Sequence, residues 1–279
     1  MGWTGASKKR ATSRCQCAGG GNGLINHEPD EPLNRAYGRG IFRRRILLRR
    51  EAQTVTAELE DDYHAFRLRL VHDGHRITGI DAQSLRIPTT ACLEAPALLA
   101  GLVGKPLTGN RLAFRDGSSP RLHCTHLHDL LWLAMAQTFR ESDARLYDIQ
   151  VPDLVEGRSR ARALLDGTEL LAWETDMQRL LLPVEHADKP LRSGFSRWAT
   201  EAYQGDQLEA AYILQIALMV GYARRFDVDA MRANRIQPVN ELLGACHAFQ
   251  PNVIERALPM MGTVRDFSER ADDLLRFIE

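Results

Sequence analysis

The sequence predicts an α+β protein in which two antiparallel β-meanders alternate with helical segments, with the C-terminal third mostly helical. Apolar residues recur with period two over residues 40–87 and again over 145–184, which is typical of strands with one buried face. From about residue 195 the period becomes helical. Hairpin signals between the strands leave too little chain for parallel crossovers, which favours α+β over α/β.

The first predicted meander occupies residues 40–87. Val55, Ala57 and Leu59 alternate with polar neighbours, as expected for a strand with one buried and one wet face. Asp73-Gly74 between two such runs indicates a hairpin, because both residues tolerate positive φ. Four strands are predicted, at approximately residues 41–50, 53–60, 64–72 and 75–83.

The sequence between residues 89 and 141 predicts helices. Cys92–Val103 reads as a short apolar helix, and Thr125 is expected to cap a second helix. His126 and His128 would then lie in the first turn of that helix. The positive end of a helix lowers the pKa of a histidine, so neutral rings are expected there.

A second meander is predicted for residues 145–184, with Asp166-Gly167 as the turn of its hairpin. The strands on either side are 162–165 and 169–174, and a further strand is expected over 177–182. Helices are predicted to begin at or after four residues: Asp206, Asp227, Pro251 and Ser268.

Composition indicates one globular domain and a basic tail. The chain has 279 residues, of which 44% are hydrophobic and 26% charged, enough to form a substantial core. Residues 1–34 are predicted to be disordered, because they are glycine-rich and poor in apolar residues. Residues 35–279 are predicted to form a single domain, with a β-rich and helical half at 35–142 and a hairpin-plus-helix half at 143–279.

Charge is distributed unevenly, although the whole chain has a formal net charge of zero. Residues 1–50 hold eleven Lys and Arg against three acidic residues, a net charge of +8, so the remainder carries −8. We interpret the basic end as a solvated tail followed by an arginine-rich strand. Nucleic acid is not expected as a partner, because few aromatic side chains lie near Arg43-Arg44-Arg45 to stack on bases.

Cysteine usage predicts a cytoplasmic protein. Five cysteines are too few for a disulfide scaffold at this length, and Cys92, Cys124 and Cys246 lie in apolar surroundings. No segment resembles a signal peptide, and the apolar stretch Ala210–Tyr222 is shorter than a membrane span. The expected partner is a small-molecule ligand, with a homodimer left open and no membrane expected.

Several short stretches resemble the bacterial family of unknown function numbered 2889. They are Glu58–Leu68, Arg86-Ile87-Pro88 with Cys92, Gly104, and Cys124-Thr125-His126-Leu127. The later stretches Gly244–Pro251 and Gly262–Phe267 resemble the C-terminal part of longer family members, so the resemblance extends over roughly residues 40–270. The resemblance implies no established activity. The occurrence of such proteins in bacteria that degrade aromatic compounds favours small-molecule metabolism.

Common catalytic motifs are missing from the sequence. It contains no phosphate-binding glycine loop, no dinucleotide fingerprint, no nucleophile elbow and no His-Glu-x-x-His. Kinase, dinucleotide oxidoreductase and serine hydrolase functions are therefore disfavoured.

Three kinds of site fit the remaining residues. Cys92, Cys124 and His126 are candidate zinc ligands, because zinc prefers thiolate and imidazole. Cys124 alone is a candidate nucleophile, since a helix N-terminus lowers the pKa of a thiol. For acid–base chemistry, His64 is expected to move a proton with Tyr63 or Asp61 as its partner.

Arg86 completes the acid–base alternative as a residue suited to binding a carboxylate or phosphate. Two function hypotheses follow. One is a small enzyme without an organic cofactor, a lyase or isomerase acting on an aromatic or acyl metabolite. It would gather the catalytic candidates His64, Arg86, Cys124 and His126, with Cys92 nearby, around a closed apolar pocket. The alternative is a non-catalytic small-molecule-binding or assembly protein, in which these residues are satisfied in the core.

Overall fold

The computed structural model describes residues 32–233 and 242–278, together with Met1. The tail predicted to be disordered, residues 1–34, therefore lies outside the described residues except at its ends. At residues 32–34 the chain contacts the folded body: Leu33 forms a β-bridge with Phe226, and Asn34 Nδ2 donates to the carbonyl of Arg224 at 2.9 Å.

Eight strands form one antiparallel sheet. They are β1 (Ile41–Glu51), β2 (Thr54–Asp61), β3 (Ala65–His72), β4 (Ile77–Arg86), β5 (Ala144–Pro152), β6 (Ser159–Leu165), β7 (Thr168–Thr175) and β8 (Leu180–Leu182). Their order across the sheet is β4-β3-β2-β1-β5-β6-β7-β8. Both predicted meanders are present, but they are joined, because β1 pairs with β2 on one edge and with β5 on the other. Two sequence-distant meanders thus make a single sheet.

Some of the predicted helices are shorter or more broken than expected. The α-helices are α1 (Ala95–Leu98), α2 (Arg111–Asp116), α3 (Thr125–Gln137), α4 (Phe195–Ala202), α5 (Gly205–Gly221), α6 (Val228–Ala233) and α7 (Pro251–Ile254). The helix predicted for residues 92–103 is three short pieces, with 3-10 turns at Thr90–Leu93 and Leu99–Leu102 on either side of α1.

One face of the sheet is buried under two helices. α3 packs against β1, β2 and β3, while α5 packs against β1, β5, β6 and β7. Phe42, Ile46 and Leu48 of β1 point into this layer and are almost fully buried. Gly221 at the end of α5 approaches Phe42 so closely that an added Cβ would lie 3.1 Å from the ring. The core therefore lies between the sheet and the α3/α5 pair.

Three predicted helix starts are wrong in detail. Thr125 is the first residue of α3, and Cys124, with extended backbone, is the residue before it. Asp206 lies in the first turn of α5, where its negative charge still suits the positive helix end. Ser268 caps no helix; its hydroxyl instead accepts from the backbone N–H of Ile41 at 2.8 Å. Asp227 does cap α6, accepting from Ala230 N at 2.9 Å.

The helical C-terminal third is confirmed for residues 195–233 but not for 242–278. Residues 242–278 contain α7 and short 3-10 turns, and the later part of the segment contacts the end of β2 and the turn between β2 and β3. Arg265 N donates to Asp62 O at 2.8 Å, and Leu275 N donates to the Glu60 carboxylate at 2.6 Å. Across the described ranges, no helix combines the length and the apolar character needed to cross a bilayer.

Candidate functional site

The turn between β2 and β3 is built around Asp61. Its Oδ1 accepts from the backbone N–H groups of Tyr63 and His64, each at 2.8 Å, so the carboxylate holds the turn closed. The same oxygen lies 3.0 Å from Nδ1 of His64. The turn therefore fixes the His64 ring beside a carboxylate, with 12% of the side chain exposed.

Arg44 holds the other oxygen of Asp61. Arg44 Nε and Nη2 both donate to Oδ2, at 3.0 and 2.6 Å. Burial alone would raise the pKa of the Asp61 carboxyl, but the charges of His64 and Arg44 lower this pKa well below its ordinary range. Asp61 is thus a buried carboxylate that stays ionised.

His126, in the first turn of α3, lies against this pair. Its ring centroid is 4.2 Å from that of His64 and 6.0 Å from that of Phe66. Its Nε2 is buried and has no hydrogen-bond partner among the described residues. Burial, followed by the charges of His64 and Arg44, lowers the pKa of His126 well below its ordinary value. The neutral ring predicted from the sequence is supported, and burial is its main cause.

Asp61, His64 and His126 form a compact donor set. One ligand atom from each lies within 4.8 Å of the other two, and no other such set of His, Cys, Asp or Glu is found in the described part of the chain. The residues come from two elements, because the β2–β3 turn and the start of α3 meet at the end of the buried sheet face. Chemically, the set can exchange protons or bind a cation.

A small cavity adjoins the site, between β1 and β2 on one side and α3 and α5 on the other. Its volume is about 20 Å³, and Arg44 and His126 lie on its wall among apolar side chains such as Leu59 and Ile213. A cavity needs about 10–15 Å³ for one water molecule, so this one has room for a water but not for an aromatic ring. The cavity is lined mostly by apolar side chains, but it is too small to enclose an aromatic metabolite, and of the predicted catalytic residues only His126 lines it.

The guanidinium of Arg86 forms its hydrogen bonds with other groups of the protein. Its guanidinium donates to the backbone carbonyls of Asp62 and Thr263 at 3.0 and 2.9 Å, and to the Glu60 carboxylate at 3.1 Å. It also reaches the carbonyls of Asp61 and His64. The expected substrate-binding arginine instead fastens the turn to the C-terminal segment and so positions Asp61 and His64.

The cysteines do not join the donor set. Cys124 is 7% exposed, and burial raises the pKa of its thiol to about 12. The expected lowering of this pKa by the helix N-terminus is therefore wrong: burial outweighs it, and Cys124 is a thiol at neutral pH. Cys92 is also buried, in the 3-10 turn Thr90–Leu93. Of the zinc ligands predicted from the sequence, His126 alone belongs to the compact set.

Sequence reasoning missed two arginines that organise the turn. Arg44 occupies a position of β1 where period two places an apolar residue, and that exception is a readable signal. Arg224 donates to Asp62 at 2.6 Å and to Asp153 at 2.9 Å, and its position after α5 gives no comparable signal. Together they tie the turn to the sheet and to the second half of the chain.

Comparison with known proteins finds one family model that matches part of the chain. Residues 48–140 match the model of a family described as "Protein of unknown function (DUF2889)". The matched range contains Asp61, His64 and His126, as well as Arg86 and Cys124. No curated protein matches the chain.

Proposed function

We propose that this chain, whose residues 48–140 match the model of the family of proteins of unknown function DUF2889, is a small enzyme without an organic cofactor. The reaction is a lyase or isomerase type of proton transfer on an aromatic or acyl metabolite. One observation carries the proposal: the ionised Asp61 lies 3.0 Å from His64 Nδ1, and the neutral ring of His126 packs on His64. Paired acid–base groups that are held in fixed positions are what such a transfer requires.

The hydrogen bond to Asp61 determines what His64 can do. When Nδ1–H donates to Asp61, Nε2 carries a lone pair and can accept a proton from a substrate carbon or hydroxyl. The buried carboxylate then stabilises the imidazolium that forms. Returning that proton to another atom of the substrate completes an isomerisation, and returning it to a leaving group completes an elimination.

The size of the cavity restricts how a substrate can bind. A space of about 20 Å³ admits a water-sized group, whereas His64 is partly open to solvent. His64 does not line this cavity, so the substrate is not enclosed there and its reacting group approaches His64 from the solvent side.

A non-catalytic binding or assembly function is the second candidate. It is favoured by the engagement of Arg86 with backbone carbonyls and by the burial of Cys124, since both residues then have structural roles. In that case function would reside on the outer face of the sheet, where Arg49, Arg67 and Arg69 line an open groove.

Incorporation of deuterium into candidate substrates tests the proposed proton-transfer activity. Small acyl and aromatic carboxylic compounds are incubated with the protein in D₂O, and loss of a C–H signal is followed by proton NMR. Exchange should be catalysed by the wild type and fall by about 100-fold or more in His64→Gln. His75→Gln, at an exposed histidine, is the matched control and should keep full activity. Equal exchange in His64→Gln and the wild type, or exchange of no compound, would contradict the proposal.

A further inference from the structure

We propose that Asp61, His64 and His126 together bind one divalent transition-metal ion, zinc or iron(II). The site is the one to which we attribute the chemistry above, so the catalytic meaning of the metal rests on that proposed function. Binding itself can be measured without a substrate. The proposed ligand set also differs from the cysteine-containing set expected from the sequence.

The spacing of the donors suits a metal ion. Bonds of about 2.1 Å at angles between square and tetrahedral place neighbouring ligand atoms about 3.0–3.4 Å apart. Asp61 Oδ1 and His64 Nδ1 already lie 3.0 Å apart. All three ligand atoms lie within 4.8 Å of one another, so a shift of His126 by about one ångström would complete the set.

A cation would also provide a partner for the unpaired polar atom of the site. Nε2 of His126 is buried without a hydrogen-bond partner, a state that is costly for a polar atom. The cation would replace the proton between Asp61 and His64, and the proton of His64 would then reside on Nε2. Arg44 keeps its bonds to Oδ2, so it orients the carboxylate from behind, as partners of metal ligands commonly do.

The positive charge of Arg44 does not leave the region strongly cationic. Arg86 pairs with Glu60, and Arg224 pairs with both Asp62 and Asp153. Arg44, Arg86 and Arg224 thus each have at least one carboxylate partner. The local charge before a cation binds is therefore near neutral or slightly negative, which permits a dication to bind.

The types of donor atom restrict which metal ion can bind and which chemical role it can have. Two imidazoles and one carboxylate are the ligands of catalytic zinc sites and of non-haem iron(II) sites, both of which keep open positions. The cavity of about 20 Å³ beside His126 has room for one water on the metal. That water, acidified by the ion, would replace His64 Nε2 as the group that accepts the proton.

Metal analysis of the untagged full-length protein tests the inference. Protein stripped with a chelator is reloaded with Zn²⁺ or, without oxygen, with Fe²⁺, dialysed, and analysed by mass spectrometry. We expect about one ion per chain in the wild type and in His75→Gln, and less than about one tenth of that in His64→Gln and His126→Gln. Circular dichroism verifies that each variant is folded. No stoichiometric metal in the wild type, or full loading of folded His126→Gln, would overturn the inference.

Cobalt(II) substitution gives a second measurement on the wild type, which is independent of how the variants fold. Visible d–d bands without a near-ultraviolet sulfur-to-cobalt band support the Asp61, His64 and His126 set. A sulfur-to-cobalt band that is lost in Cys124→Ser would overturn it in favour of a thiolate site. The two proposals also fail separately. Turnover that survives chelation would contradict the catalytic role of the metal and leave the proposed enzyme activity standing. Stoichiometric metal with no exchanging substrate would support the metal site and contradict the proposed enzyme activity.

Discussion

Arg44 and Asp61 form a salt bridge of 2.6 Å inside the protein, with 2% and 0% of their side chains exposed. The next residue along β1, Arg45, pairs with Asp148 across the β1–β5 pairing at 2.8 Å, with about a fifth of each side chain exposed. Successive strand residues point to opposite faces of the sheet. β1 therefore presents the same arginine–aspartate pair in a buried and in a partly exposed setting.

Asp61→Asn should lower the free energy of unfolding by about 3–5 kcal/mol, because it leaves the buried charge of Arg44 without its partner. The asparagine oxygen can still accept from Tyr63 and His64, so the substitution chiefly removes the charge. Asp148→Asn is the matched control and should cost about 0–1 kcal/mol, since its pair is partly solvated. Urea unfolding of both variants measures the difference. Similar losses in the two would show that burial does not govern the strength of these pairs.

The Arg44–Asp61 pair also shows what the sequence could and could not predict. Period two predicted every strand except β5 to within a few residues, since alternation reports which side chains face the core. It did not report that β1 pairs with β5, about a hundred residues away, because periodicity carries no information on partners. The contact of His64 with His126 likewise depends on how α3 packs against β2 and β3, which periodicity does not report. Arg86 was recognised as important, but its acceptors are mainly backbone carbonyls, which have no sequence signature.

Cys124 should be unreactive in the folded protein. Burial raises the pKa of its thiol to about 12, so almost no thiolate exists at pH 8, and thiolate is the reactive form. Iodoacetamide at pH 8 should therefore leave the Cys124 peptide unmodified in native buffer and modify it fully in urea, as read by peptide mass spectrometry. Rapid modification of Cys124 in the native protein would restore it as a nucleophile candidate.

Gly40 is predicted to be essential for the position of Arg224. A Cβ at residue 40 would lie 2.0 Å from Nη2 of Arg224 and 2.8 Å from Oγ of Ser268. Arg224 cannot move aside freely, because Asp62 and Asp153 hold its guanidinium. Gly40→Ala should therefore lower the free energy of unfolding by about 1–3 kcal/mol, as overpacking typically does.

Gly79→Ala, in β4, is the control for that substitution. Its added Cβ would meet Val71 at an ordinary 3.6 Å, and alanine lowers the entropy of the unfolded chain. The stability of this variant should change by no more than about 0.5 kcal/mol. Thermal unfolding distinguishes the two variants, and equal effects would refute a special role for the contact with Arg224.

Glu94 links the segment before α1 to the C-terminal part of the chain in a pH-dependent way. Its carboxylate accepts from Arg256 Nη2 at 2.7 Å and from His247 Nε2 at 3.1 Å. Hydrogen bonds from Arg256 and then His247 lower the pKa of Glu94 from 4.5 to about 2. Because the folded-state pKa is the lower one, the stabilisation is complete above pH 4.5 and disappears as the pH falls towards 2.

Glu94→Gln should therefore be less stable than the wild type at pH 6, with a difference that shrinks steadily by pH 3 and is reduced by salt. Glu169→Gln, where the carboxylate lies 3.7 Å from Arg162, controls for loss of a surface charge. Urea unfolding at each pH provides the measurement, and a stability difference for Glu94→Gln that stays constant from pH 6 to pH 3 would refute the link.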